Sequence, residues 1–136
     1  MKVEHLFECG NDFCALLQEY DKNNDKLYWV DTDTGKSVEL MQLRNKRLIN
    51  VIDSEVLYVQ GRSIYCQTVS MQGLGEIRYE IKLPSNMTDL NVFEIAGDWL
   101  FIHKRVTNVE WATNQLLYKV NLKTHEVIDV LSLIHI

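Results

Sequence analysis

Residues 93–99 read FEIAGDW, a short strand pattern followed by a polar turn and the start of a second apolar run. The same arrangement occurs at residues 7–13, FECGNDF, and at residues 50–56, NVIDSEV. The three copies share an acid at two successive intervals of 43 residues: Asp12, Glu55 and Asp98. A period of this length is typical of one four-stranded β-propeller blade. We therefore predict an all-β chain built from about three such repeats.

A tyrosine-containing strand pattern marks the second half of each repeat, at residues 27–30 (LYWV), 78–81 (RYEI) and 117–120 (LYKV). We align these three segments as third strands. In the second repeat, apolar side chains alternate with charged ones, as in a strand with one buried face: Ile77, Tyr79, Ile81 and Leu83. In the first repeat, the same alternation places Trp29 on the exposed face.

Each repeat is expected to contain four antiparallel strands, and the repeats span about 3–43, 47–90 and 91–131. First strands are predicted at about 3–9, 47–53 and 91–96. Second strands are predicted at about 12–20, 55–69 and 98–107. The second strands are dense in apolar residues, as expected of strands that are covered on both faces.

Two short polar segments predict hairpin turns, at residues 33–35 (DTG) and 123–125 (KTH). These turns lead into fourth strands at about 37–43 and 126–131. The fourth strand of the second repeat is placed near 86–90, after the only proline. Within the second strand at 55–69, Gly61-Arg62-Ser63 is either a bulge or a further turn.

The segment Leu27–Lys36 (LYWVDTDTGK) resembles the strand-turn signature of bacterial propeller repeats in the broad YWTD-like, TolB-like and DUF5050-like group. The segment Leu117–Thr124 (LYKVNLKT) resembles the same element. This resemblance implies a propeller fold, and because the motif is a structural one it supplies no catalytic residue. Propellers close with typically four to eight blades. Three repeats therefore imply a partial, open β-propeller.

The composition indicates one folded domain over 1–136, because 46% of residues are hydrophobic and only one proline occurs. The 14 basic residues against 19 acidic ones give a net charge of −5. The basic residues are scattered, which disfavours nucleic-acid binding. We expect no membrane span, because no apolar run reaches about 18 residues, and no signal peptide, because the N-terminal residues MKVEHLFECGND lack an apolar middle. A cytoplasmic location is therefore favoured.

An open arc of blades would leave apolar faces exposed at both ends, and two explanations stay open. Residues 131–136, LSLIHI, resemble the translation of the mosaic-end adaptor used in transposon-based sequencing. On that interpretation they are a non-native tail, and the chain is a fragment of a longer propeller; the alternative is that they are an ordinary apolar strand end. Alternatively, two chains self-associate through their exposed terminal blades into a six-bladed ring.

Two acidic patterns are candidate sites. Residues 21–25, DKNND, begin like a calcium loop, but Lys26 and Thr32 stand where an EF-hand needs glycine and glutamate. We interpret the run as a hairpin loop between strands. Asp31 and Asp33 could act as an acid–base pair, but beside a Thr-Gly turn they are interpreted as turn-forming residues.

The histidines and cysteines show no zinc-ligand spacing, so no metal and no cofactor is predicted. The histidines are His5, His103, His125 and His135. The cysteines Cys9, Cys14 and Cys66 are interpreted as buried thiols. An alternative is that Cys9 and Cys14 face each other across a hairpin.

Tryptophan supplies the one predicted binding residue. Trp99 lies in a dense apolar run and is assigned to the core, whereas Trp111 lies in the polar loop 108–114 and is the candidate binding residue. Packing of Trp111 on a neighbouring blade is the alternative.

Nucleophile-elbow, dinucleotide-binding and P-loop motifs are absent from the sequence, so no catalytic residues are assigned. We therefore expect a non-catalytic binding or interaction module, with an unknown protein or small molecule as its ligand. The alternative is a fragment of a propeller enzyme that acts on a carbohydrate or other small molecule, with its catalytic residues on other blades.

Overall fold

The computed structural model describes residues 2–18, 25–107 and 112–130. Within these ranges, twelve strands form three four-stranded sheets. Three sequence predictions lie outside the described residues: the binding residue Trp111, the calcium-like run at 21–25 apart from Asp25, and the tail at 131–136. The described residues contain no helix long and apolar enough to cross a membrane.

Every sheet is an antiparallel meander whose strands are ordered as they occur in the chain. The first sheet contains β1 (Lys2–Cys9), β2 (Asp12–Gln18), β3 (Asp25–Val30) and β4 (Ser37–Gln42). The second contains β5 (Arg47–Ile52), β6 (Glu55–Gln60), β7 (Ser63–Ser70) and β8 (Gly73–Lys82). The third contains β9 (Asn91–Ala96), β10 (Trp99–Thr107), β11 (Ala112–Asn121) and β12 (Val127–Asp129). The predicted fold class, all-β with three four-stranded antiparallel blades, is confirmed.

The first hairpin of each sheet has a two-residue turn, where positive φ angles match the twist of the flanking strands. The turns contain Gly10 (φ 64°), Asp53 and Ser54 (φ 49° and 64°), and Gly97 (φ 61°). Asp12 and Glu55 open β2 and β6, whereas Asp98 lies in its turn and Trp99 opens β10. The predicted equivalence of the three acids is therefore wrong for Asp98. The shared position is held by an acid in two sheets and by a tryptophan in the third.

The strand order within the second repeat differs from the prediction. Of the two alternatives at residues 61–63, the further turn is confirmed: Gly61 and Arg62 form a two-residue turn, with Gly61 at φ 62°. The turn divides the expected strand at 55–69 into β6 and β7. Residues 73–82 are consequently the fourth strand, and the strand expected near 86–90 does not form. The error arose because apolar residues continue on both sides of the turn and hide the break in the sequence pattern.

The tyrosines of the third strands are in register, but not the set that the sequence indicated. Ala15 pairs with Tyr28, Tyr58 with Tyr65, and Ile102 with Tyr118. The equivalent tyrosines are therefore Tyr28, Tyr65 and Tyr118. Tyr79 lies on β8, opposite Cys66.

The chain divides into two compact units, residues 1–82 and residues 83–136. The prediction of a single propeller fragment over 1–136 stays a prediction. The first unit contains the first two sheets, in which β1 lies beside β5 and β4 beside β8. Equivalent strands thus lie side by side, as in stacked blades.

We define the front face of each sheet as the face that carries the first residue of its second strand, and the back face as the opposite one. Within the first unit, the front face of the first sheet packs on the back face of the second. The first sheet supplies Cys9, Cys14, Leu27, Trp29, Leu40 and Met41. The second supplies Val51, Val56, Tyr58 and Val69. Fully burying one large apolar side chain contributes about 1.5–3 kcal/mol, so this shared core stabilises the unit.

Burial corrects two further predictions and confirms one. Trp29 is only 6% exposed, not on an open face, because the front face of the first sheet is covered by the second sheet. Along β8, Ile81 is buried as expected, but Ile77 is 53% exposed. The central residues of β6 are buried on both faces, as predicted: Val56, Leu57, Tyr58 and Val59.

The third sheet has one buried face and one half-open face. Its back face buries Leu100, Ile102, Tyr118 and Val120. The Tyr118 hydroxyl hydrogen-bonds to the Ser85 hydroxyl at 3.0 Å, which satisfies its polar end. Its front face carries half-buried Trp99, Phe101 and Lys119, so assigning Trp99 to the core was only partly right.

Candidate functional site

The polar side chains of the front faces converge at one recurring position. In the first sheet, the indole Nε1–H of Trp29 donates to Asp12 Oδ2 at 3.0 Å. In the second sheet, the thiol of Cys66 donates to Glu55 Oε2 at 3.0 Å. In both, the donor on the third strand lies diagonally across from the acid that opens the second strand. The strand register therefore creates the contact, because it brings these two positions together in each sheet.

The third sheet holds a different contact at the same position. Lys119 Nζ lies 4.5 Å from the ring centroid of Trp99, in a cation–π contact, and 5.9 Å from that of Phe101. Lys119 pairs with Phe101, two residues after Trp99, which repeats the diagonal of the other sheets. Three chemically different pairs thus serve the same strand-to-strand role.

Asp12 also holds the turn that follows β3. Its Oδ1 accepts a hydrogen bond from the backbone N–H of Thr32 at 3.3 Å. The Thr32 hydroxyl donates to the carbonyl of Asn11 at 2.9 Å. The carboxylate therefore joins the first hairpin of the sheet to its last one, and its oxygens are used in structural contacts.

The turns after β3 and β11 contain the same five hydrogen bonds, 90 residues apart. The side chains of Asp31 and Asn121 each accept two backbone N–H groups. Asp31 is a turn-forming residue, as the sequence indicated. Gly35 has a φ of 73°, and His125 takes the same place with a φ of 67°.

A group of four interacting ionisable side chains lies on the front face of the second sheet, and we call it the Glu55 cluster: Glu55, Cys66, Arg78 and Tyr79. The Arg78 guanidinium pairs with Glu55 Oε1, while Cys66 binds the other carboxylate oxygen. Tyr79 lies opposite Cys66 in the strand register. The side chains of Glu55 and Arg78 are 30% and 57% exposed, so the ion pair meets solvent whereas the thiol is buried.

Protonation in the Glu55 cluster follows from this geometry. The hydrogen bond from Cys66, followed by the pairing with Arg78, lowers the pKa of Glu55 below its usual value of 4.5. Burial, followed by the hydrogen bond to Glu55, raises the pKa of Cys66 to about 12. Burial also raises the pKa of Tyr79 to about 12. At neutral pH the carboxylate is therefore ionised, while the thiol and the phenol keep their protons.

Such a cluster is poorly suited to nucleophilic chemistry. A cysteine nucleophile needs its thiolate form, which a lowered pKa provides. Cys66 has the opposite shift, and its proton lies in a hydrogen bond to Glu55. The arrangement binds three strands of the second sheet to one another.

Cys9 and Cys14 form a second thiol pair. Their sulfur atoms lie 3.2 Å apart in the buried core of the first unit, and both are free cysteines. Burial, followed by the neighbouring Cys9 thiol, raises the pKa of Cys14. The thiols are buried as predicted, and they also face each other across the hairpin as in the alternative interpretation.

The histidines lie in separate surroundings. His103 Nε2 lies 3.8 Å from Glu94 Oε2, and the His5 ring lies 4.4 Å from the Phe7 ring. In the part of the chain that the structure describes, no group of three or more histidine, cysteine or acidic side chains could hold a metal ion. Cys9, Cys14 and Cys66 make the contacts given above with thiol or carboxylate partners.

Sequence reasoning missed the Glu55 cluster. Its members come from β6, β7 and β8, and the sequence pattern placed Tyr79 on a third strand. The acid at position 55 was the only signal, through its place in the 43-residue repeat. Trp111, the predicted binding residue, lies outside the described residues, so its place relative to the cluster stays open as a prediction.

Comparison with known proteins finds no matching family model, no matching curated protein and no matching solved structure.

Proposed function

We propose that this chain is a non-catalytic interaction module built on propeller-type blades. The observation that carries the proposal is the use of the front-face polar side chains. In all three sheets, the shared front-face position is engaged in a contact between the second and third strands. These contacts hold the strands together, so we assign recognition to the parts of the sheet faces and loops that stay exposed.

The protonation of the second sheet supports the same proposal. Cys66 and Glu55 are the most reactive residue types in the Glu55 cluster. The thiol is held neutral by burial, and the carboxylate is held ionised by Cys66 and Arg78. Neither has the matched, mid-range pKa that general acid–base catalysis requires near neutral pH.

The turn after β3 supports assignment of these repeats to the broad YWTD-like, TolB-like and DUF5050-like propeller group. The signature at Leu27–Lys36 ends in a turn whose hydrogen bonds recur after β11. In a repeat fold of this kind, loops and blade surfaces present the residues that bind ligands.

A binding assay with a chemical readout tests the proposal. The purified chain is applied to an oligosaccharide array and a peptide array, and each ligand that binds is re-examined in solution by calorimetry and mass spectrometry. We expect saturable binding that leaves the ligand chemically unchanged, and weaker binding for the Trp111→Ala variant. Absence of binding to every member, or chemical conversion of a bound ligand, contradicts the proposal. Conversion of an oligosaccharide would favour the propeller-enzyme alternative.

A further inference from the structure

Two sheet faces differ from their counterparts in exposure. On the front faces, Cys14 and Leu57 are 0% and 7% exposed, whereas Phe101 at the equivalent position of the third sheet is half-buried. The same contrast separates Trp29 and Cys66, which are buried, from Lys119, which is half-buried. The front face of the third sheet is thus the least covered of the three front faces.

The back face of the first sheet shows the same contrast. Glu8 is exposed, and its counterpart in the second sheet, Val51, is only 4% exposed. Leu6 is 56% exposed, while Leu48 at the equivalent position packs against the core of the first unit. Tyr28 and Val30 share this back face and are half-buried.

The first unit shows what chemistry covers such a back face. There the front face of one sheet, with Trp29 and Cys14, packs on the back face of the next, with Tyr58 and Val56. A back face with exposed Leu6 therefore fits a front face that presents an aromatic side chain. The front face of the third sheet presents Trp99 and Phe101 in that position.

Charge also matches between these two half-open faces. Lys119 brings a cation to the front face of the third sheet. The exposed carboxylate of Glu94 lies on the same face, opposite Phe101, where it is 3.8 Å from His103 Nε2. Glu8 brings an exposed anion to the back face of the first sheet, where Glu39 is already paired with Lys26 at 3.4 Å. Opposite charges across an interface fix register and favour the correct partner.

We propose that the partner of this module is a second copy of the same chain, bound head to tail. The front face of the third sheet of one copy packs on the back face of the first sheet of the other. This inference deepens the proposed function and rests on it, because it names the partner of the interaction module. Two copies supply six sheets, a number within the usual range of four to eight blades at which propellers close.

A head-to-tail contact uses two different faces, which makes it distinguishable from a symmetric contact. We therefore design one variant for each face: Leu6→Glu for the back face and Lys119→Glu for the front face. Ile77→Glu is the control for the first, because Ile77 is 53% exposed and lies on β8 of the second sheet, away from both faces. Lys82→Glu is the control for the second, with the same change of charge at an exposed position of β8. Circular dichroism and thermal unfolding verify that every variant folds.

The mass of the full chain in solution is measured by sedimentation velocity between about 1 and 100 μM, a range that covers the affinities of ordinary protein pairs. We expect wild type to form a dimer, and Leu6→Glu and Lys119→Glu each to weaken it by at least about tenfold, because each places an unpaired charge in the contact. The Ile77→Glu and Lys82→Glu chains should pair as wild type does. Mixing the Leu6→Glu and Lys119→Glu chains should restore pairing partially, since the mixed dimer contains one unaltered contact.

Three outcomes overturn the inference. The first is a wild-type chain that stays monomeric at about 100 μM. The second is a loss of pairing that is equally large in the control variants. The third is a loss confined to one of the two faces, which indicates a symmetric contact. A monomer that still binds an array ligand unchanged overturns only this inference and leaves the proposed function standing.

Discussion

The first and third sheets place tryptophan at opposite ends of the same front-face contact. In the first sheet Trp29 comes from the third strand, is buried, and donates a hydrogen bond to Asp12. In the third sheet Trp99 comes from the second strand, is half-buried, and lies under the ammonium group of Lys119. The difference teaches that strand register conserves the position of the contact, while the surroundings select its chemistry. On the covered front face of the first sheet the contact uses the neutral indole N–H of Trp29, whereas on the half-open front face of the third sheet it uses the charged ammonium group of Lys119.

The largest effect should come from truncating the buried tryptophan. We expect Trp29→Ala to lower the free energy of unfolding by about 3–5 kcal/mol, because it leaves a cavity in the core of the first unit. Trp99→Ala, on the half-open face, should cost about 1–2 kcal/mol. Urea denaturation followed by circular dichroism measures both values. Equal costs would break the contrast between a covered and an open front face.

The Glu55 cluster extends the comparison to pH. The pKa of Cys66 is raised from 9.0 to about 12 in the folded chain, so the unfolded chain releases this proton first as the pH rises. Stability from this group is therefore complete below pH 9 and lost as the pH rises towards 12. We expect a loss of about 2 kcal/mol across that window, and a shallower loss in Cys66→Ala. Unfolding curves from pH 8 to pH 11 test this, with Leu57→Ala as the control, because Leu57 is a buried neighbour of Cys66 in the strand register and does not titrate.

Low pH should also reduce the stability that the Glu55 cluster provides, through protonation of Glu55. The pKa of Glu55 is lowered below 4.5, so its contribution is present above pH 4.5 and lost as the pH falls through its folded-state value. The Glu55→Gln variant should show less acid sensitivity than wild type. If Glu55→Gln loses as much stability at low pH as wild type does, other carboxylates cause most of the acid sensitivity.

The hydrogen bond between Trp29 and Asp12 should contribute a smaller amount. We expect a coupling of about 1–2 kcal/mol from a double-mutant cycle with Trp29→Phe and Asp12→Asn, because the bond joins an indole to a partly buried carboxylate. The same cycle at Lys119 and Trp99, with Lys119→Met and Trp99→Leu, should give about 0.5–1 kcal/mol. A larger coupling in the third sheet would reverse the ranking of the two contacts.

The smallest effect concerns the two matching turns. His125 has a φ of 67°, a left-handed conformation that costs a residue with a side chain about 1 kcal/mol. Replacing His125 by glycine removes this strain, but glycine is more flexible in the unfolded chain, and this offsets part of the gain in stability. We expect His125→Gly to stabilise the third sheet by about 0.5 kcal/mol. The reciprocal Gly35→His should destabilise the first sheet, because a side chain at a φ of 73° is strained. The space around Gly35 is open, so the new side chain gains no contact that would compensate for the strain. Thermal unfolding of the two variants tests the pair, and shifts of the same sign would contradict it.

Much of the fold could be predicted because hairpins and alternation are local signals. The interval between Asp12 and Glu55 correctly matched two sheets. The next interval was off by one residue, since Asp98 lies inside its turn and Trp99 opens the strand. An acid suits a turn and a strand end equally well, so composition alone could not separate the two positions.

The candidate site was less predictable, because it depends on contacts between strands that are distant in sequence. Alternation identifies two faces of a strand, but not the one that another sheet covers, and Trp29 was therefore assigned to the wrong face. The turn at Gly61 moved Tyr79 from the third strand to the fourth. That shift placed Arg78 and Tyr79 beside Glu55 and Cys66, which no spacing in the sequence indicates.

The twin turns after β3 and β11 also bear on how the chain folds. The five hydrogen bonds that the two turns share each join residues within one segment of six, 31–36 or 121–126. Closing so short a segment loses little chain entropy, and hairpins of this kind form in about 1–10 μs. These two turns can therefore form before the sheets pack, so folding can nucleate independently in the first and in the third sheet.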